Sequence, residues 1–204
     1  VFIYTLMGGF LAGSFSDMLQ GSIMFVVLVL VVLGTFISIG GFENAVAILS
    51  QIPGFLSLTN SATPVLDPNG AQLLDSNGFP LFDAKAAYPI LGIASALAWG
   101  LGYFGMPQVL VRFMAIKDKE QIKFSRKIAV TWVVISLIAS IGIGILGRAL
   151  MPAEFLTSWD AEAIFISLSV SLLPAFLAGV AVAGILAATM SSADAYMLIA
   201  AGSI

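Results

Sequence analysis

The chain has no cysteine and no histidine among its 204 residues, and only 9% of them are charged. Without cysteine there are no disulfides and no thiolate metal sites, and without histidine the commonest general base and metal ligand is missing. No nucleophile–base pair, phosphate-binding loop or metal constellation stands out either, so an enzyme is not expected. A charged fraction so far below the roughly 25% of a soluble domain leaves little surface suited to water and no basic stripe for a nucleic acid. What is present is apolar. Hydrophobic residues make up 60% of the sequence, in runs close to the roughly 20 residues that a helix needs to cross a bilayer. The expected class is an all-α integral membrane protein with the lipid bilayer as its surroundings. The chain begins at Val1 and stops at Ile204 inside an apolar stretch, which reads as a fragment of a larger protein.

Spans fall at about 21–39, 88–114, 128–146 and 164–192, within one partial domain covering 1–204. The stretch before them, VFIYTLMGGFLAGSFSDMLQ, reads as the tail of an earlier helix, a turn near Gly8–Gly9, and the start of the next helix. Arg112, Lys117, Lys119, Lys123, Arg126 and Lys127 crowd the link between the second and third spans, while Lys85 and Arg148 lie elsewhere. Short loops rich in Lys and Arg stay inside the cell. This predicts a multi-pass cell-membrane protein with a cytoplasmic loop at 115–127 and an extracellular loop at 43–87. In the outer loop, Ala45 to Leu49 suit a short surface helix. The turn signals DPNG and DSNG flank AQLL and FPLF, which suggests a small hairpin in an extracellular flap. Those turns lack the spacing of a calcium loop.

Two stretches carry features that hydrocarbon disfavours. In LAWGLGYFGMPQVLVRFMA, three glycines lower helix propensity, and Pro107 cannot donate to the Tyr103 carbonyl. Trp99 and Tyr103 are four apart and share a face just before that break. A discontinuous helix with aromatics at mid-depth suits a substrate site in a secondary transporter; a packing kink with lipid-facing aromatics is the rival reading. In ILAATMSSADAY, Ala188, Ser191 and Ser192 stand at i, i+3 and i+4. Two hydroxyls and a carbonyl freed by local distortion would make a neutral oxygen cluster for a hard monovalent cation such as sodium. Equally, Gly184, Ala188 and Ser192 form a small-xxx-small ridge, with serines bonded to the previous turn. Asp194 is expected to cap the next segment at the inner interface. Asp17 suits an ion-exit vestibule or a helix N-cap, and Pro174 is expected to start or kink the fourth span.

YTLMGGFLAGSFSDMLQ, LAWGLGYFGMPQVLVRFMA and GILAATMSSADAYML together resemble the sodium:solute symporter family, most closely its sodium/proline branch, over the whole chain except the outer loop. The resemblance implies a fragment of a leucine-transporter-like inverted-repeat bundle: the end of core helix 4 and core helices 5 to 8. It implies a sodium site at Ala188, Ser191 and Ser192, completed by a core helix 1 outside this chain. It also implies a substrate cavity at Trp99, Tyr103 and Pro107, and a cation exit at Asp17. Phe15-Ser16 precede Asp17 where the family usually has Trp-Thr. The implied function is sodium-coupled import of a small organic solute, an amino acid such as L-proline, with sodium co-transported. The alternatives are a transporter-like sensor domain, and a proton-coupled or uncoupled transporter of the same fold.

Overall fold

A computed structural model describes residues 2–61, 63–76, 78–84 and 86–202 of the chain. Val1, Asn77 of the DSNG turn, Lys85 and Ile204 lie outside the described residues. Helices dominate in the order α1 (Phe2–Ser38), α2 (Phe42–Leu49), α3 (Ile90–Gly102), α4 (Pro107–Met114), α5 (Lys119–Leu150), α6 (Ser158–Glu162), α7 (Ile164–Leu172) and α8 (Ala175–Gly202). Among the described residues, three helical segments are long and apolar enough to cross a membrane: Thr5–Ser38, Lys119–Leu150 and Ala175–Gly202. Large apolar side chains such as Leu11, Ile138, Phe176 and Leu186 are exposed on them, as lipid-facing surfaces require and water-facing ones do not.

Breaks in these helices follow from particular residues. In α1, Gly9 sits at φ 55°, ψ −147°, a conformation open only to glycine. The expected turn near Gly8–Gly9 is therefore a kink, and the helix resumes at once, well before residue 21. At the second break, Met106 is extended (φ −74°, ψ 122°) and Pro107 opens α4. Proline disfavours helix in its predecessor but suits the first helical position. A 3₁₀ turn, Tyr103–Gly105, links α3 to this point, so α3 and α4 are two short helices joined at the break. The chain before Pro174 is likewise extended at Leu173, so residues 164–192 are divided between α7 and α8, and α8 continues to Gly202.

The link expected at 115–127 is shorter than its charge suggested. Helix α5 begins at Lys119, so Lys119, Lys123, Arg126 and Lys127 are helical, with Lys123 Nζ 3.4 Å from Glu120 Oε1. Charged residues are good helix formers; charge marks contact with water, and a helix can protrude into water.

The residues group into two compact units interleaved along the sequence: Val1–Val29, Ser95–Leu137 and Phe176–Ile204 form the first, Leu30–Ala94 and Ile138–Ala175 the second. In the first, the α1 and α8 backbones approach closely at Gly184, where a Cβ would lie 3.9 Å from the Met24 Cα. The Phe25 and Trp132 rings sit 6.1 Å apart. In the second, α2 is more than a surface helix. Ala45 and Leu49, one turn apart, are buried with Ile39 and Ala149, against Ile145 and Leu146 of α5.

The segment between α2 and α3 is more than a hairpin. Strand β1 (Asn60–Ser61) pairs antiparallel with β2 (Ala86–Ala87). Between them Leu73 N donates to Val65 O, Leu81 N to Leu73 O, and Val65 N to Leu81 O. Three successive segments thus close a ring. Each corner is built on an aspartate: Asp67 Oδ1 accepts from Asn69 N and Ala71 N, and Asp75 Oδ1 from Phe79 N. The sequence signal is an eight-residue repeat, VLDPNGAQ followed by LLDSNGFP. Arg148, from the last turn of α5, holds this ring. It donates to Phe155 O (2.7 Å) and to Gln72 Oε1 (2.6 Å), and lies 5.7 Å from the Phe82 ring centroid.

Candidate functional site

The first unit contains an open cavity of about 1020 Å³. Past the Gly9 kink, α1 turns Phe10, Ser14, Asp17 and Gly21 toward it; α8 contributes Ala188, Ser191 and Ser192, α4 contributes Arg112, and α5 contributes Phe124 and Trp132. The i, i+3/i+4 spacing of helices places each set on one face. Residues Ala188, Ser191, Ser192 and Asp17, singled out in the sequence, are thus brought to one cavity. Trp99, Tyr103 and Pro107 are not among its lining residues. Trp99 and Tyr103 are 78% and 55% exposed and meet edge to face, with centroids 6.2 Å apart, immediately before the α3–α4 break that Pro107 sets.

At the three oxygens, α8 is uninterrupted, so no distortion frees the Ala188 carbonyl as the sequence reading supposed. Instead the Ser192 hydroxyl donates to Ala188 O at 3.1 Å, and Thr189 donates to Ile185 O at 3.2 Å. A carbonyl oxygen has two lone pairs and a hydroxyl keeps its acceptor capacity while donating. With the helical N–H of Ser192 and this hydroxyl both donating to it, the Ala188 carbonyl has both lone pairs engaged, whereas the Ser192 hydroxyl keeps its own acceptor capacity on the cavity side.

Asp17 is not a helix cap. It lies inside α1, and Arg112 Nη2 donates to its Oδ2 across 95 residues of sequence. Its other oxygen, Oδ1, is buried with no hydrogen-bond partner among the described residues, and so is Gln20 Oε1 one turn on. The pair borders the large cavity on one side and, with Gly13 and Val111, a niche of about 20 Å³ on the other, room for about one water. Sequence reasoning counted Arg112 only as a loop charge. Its place within the apolar run VLVRFMA was the available signal, since an ionisable residue there needs a partner.

Asp194 corrects a second expectation. It stands within α8 rather than at the start of a following segment, 1% exposed, and accepts from the Thr5 hydroxyl of α1. Gly13 of α1 faces it: a Cβ at that position would sit in ordinary contact, 3.7 Å from Asp194 Oδ2.

A model of the sodium:solute symporter family matches residues 1–204. The chain belongs to that family. Its relatives include a high-affinity proline transporter, PutP, of Bacillus subtilis, 36% identical over all of this chain and 38% of the relative. An osmoregulated proline transporter, OpuE, of the same species is 37% identical over all of this chain and 36% of the relative. Sodium/proline symporter 2 of Staphylococcus saprophyticus is 31% identical over all of this chain and 35% of the relative. The chain thus spans little more than a third of the length of these relatives. No solved structure matches it. Membership of a symporter family, with three membrane-competent helices, makes the chain part of an all-α membrane protein and not an enzyme.

Proposed function

We propose that the whole protein is a sodium-coupled secondary transporter that imports a small organic solute, an amino acid such as L-proline; among its relatives are one named a proline transporter and one named a sodium/proline symporter. Residues 1–204 form one partial transporter domain of a leucine-transporter-like bundle. It crosses the cell membrane several times, with the basic segment 115–127 in the cytoplasm and the loop 43–87 outside, by the excess of Lys and Arg in the former. Sodium is held by the Ala188 carbonyl and the Ser191 and Ser192 hydroxyls, together with groups beyond this chain. The solute packs on Trp99 and Tyr103 at the break that Pro107 creates, where backbone groups lie open for its polar ends. Sodium leaves past Asp17.

The observation that carries this reading is the convergence of Ala188, Ser191, Ser192 and Asp17 on one cavity of the first unit. Coupling then requires that sodium and solute each favour the same conformation, and the effect is reciprocal. A packing role for the serines is the reading that the Ser192–Ala188 bond and the close approach at Gly184 favour. Uptake of radiolabelled L-proline by the full-length protein in proteoliposomes tests the proposal. Accumulation is expected with an inward sodium gradient and is lost when choline replaces sodium. Equal uptake in choline would assign the chain to a proton-coupled or uncoupled transporter, and no uptake of any solute to a sensor.

A further inference from the structure

The Asp17–Arg112 pair joins two halves of the site that the proposed function leaves separate. Asp17 is on α1, lining the same cavity as the α8 oxygens. Arg112 is in the last turn of α4, the short helix on the far side of the break from Trp99 and Tyr103. Between the aromatics and α4 the chain passes through a 3₁₀ turn and an extended Met106. From Pro107 on, eight residues form one helical piece. Arg112 holds only one of the two carboxylate oxygens, and its side chain is 54% exposed. It is a tethered cation, open on one side.

We infer that Arg112 is an exchangeable counter-ion of Asp17, which competes with the departing sodium for that carboxylate and couples its release to the solute site through α4. Two cations at one carboxylate repel each other, so sodium at Asp17 is held less tightly while the guanidinium is on Oδ2, and return of the guanidinium favours release of the ion. A solute that reshapes the backbone at 103–106 moves α4 and, with it, Arg112. The direction of the switch is fixed: guanidinium on Asp17 favours sodium release. Arg112 is a positioning residue here, acting on the ion through Asp17 alone, and the inference rests on the sodium-symport reading.

The test is equilibrium binding and efflux of radioactive sodium with the purified full-length protein, in wild type, Arg112→Gln, Arg112→Lys, Asp17→Asn and the Arg112→Gln/Asp17→Asn double variant. Removing the competitor is expected to lower half-saturating sodium about fivefold or more, within the usual range of coupling between sites, and to slow efflux. Lysine keeps the charge but holds a carboxylate as a point charge rather than a fork, so Arg112→Lys is expected to fall between wild type and Arg112→Gln. In the Asp17→Asn background, Arg112→Gln is expected to change nothing further. Unaltered sodium binding in both Arg112 variants, or an equal change with and without Asp17, would overturn the inference and leave symport standing. A wild-type protein that binds no sodium would overturn the symport reading and the inference with it.

Discussion

Arg112 in the first unit meets one oxygen of a carboxylate at the edge of an open cavity. Arg148 in the second meets a main-chain carbonyl, an amide oxygen and an aromatic face. The partners of Arg148 are themselves fixed. Gln72 is 6% exposed, its amide donates to Leu81 O at 2.8 Å and its N–H to Leu156 O at 3.0 Å. Nothing can replace the guanidinium there without leaving several acceptors unmet. At Asp17 any cation satisfies the carboxylate. The same residue type thus serves as a clamp where its acceptors are neutral and immobile, and as a displaceable ion where its acceptor is charged and faces a cavity.

The comparison sharpens under substitution. Arg148→Ala is expected to have the largest effect on stability. It deletes two charge-assisted hydrogen bonds and leaves the Gln72 and Phe155 oxygens unmet, a loss of roughly 2–4 kcal/mol, read as faster amide exchange over residues 63–83. Lysine at this position is expected to recover little, because it lacks the fork. Packing gives the next largest effect. A Cβ at Gly147 would lie 2.6 Å from Ile164 Cδ1 and 2.9 Å from Leu168 Cδ1, so Gly147→Leu is expected to cost about 1–3 kcal/mol by overpacking α5 against α7, seen as a lower Tm in detergent. Arg112→Gln is expected to change stability least, by about 1 kcal/mol, because the Arg112 side chain is 54% exposed although that of Asp17 is only 16%, with Tm close to wild type. Similar losses for Arg112→Gln and Arg148→Ala would break the comparison, because both arginines would then be structural.

What the sequence made legible was local chemistry. Pro107 cannot continue a helix, a glycine pair invites a kink, and i, i+3, i+4 spacing sets hydroxyls on one face. The sequence located the α3–α4 break, the Gly9 bend and the common face of Ala188, Ser191 and Ser192 by these rules. Long-range pairing was not legible. Arg112 finds Asp17 across 95 residues and Arg148 finds Gln72 across 76; nothing in the flanking residues names such partners. Asp194 was misplaced for the same reason, since only packing reveals that Thr5 of α1 meets a carboxylate inside α8. The start of α5 was missed because charge was taken as a sign of loop when it signals only water. The aspartate-cornered ring at 65–82 was half visible: the turns were recognised, and the eight-residue repeat that closes three segments rather than two was there to be counted.

The central claim is that the α8 oxygens on the first unit's cavity hold sodium rather than merely pack α8. It is tested most directly by the sodium-binding isotherm of the full-length Ser191→Ala/Ser192→Ala variant. The account predicts that half-saturating sodium rises about tenfold or more, the equivalent of at least about 1.4 kcal/mol of lost binding, while Tm stays near that of wild type. An unchanged isotherm in a folded variant would contradict it.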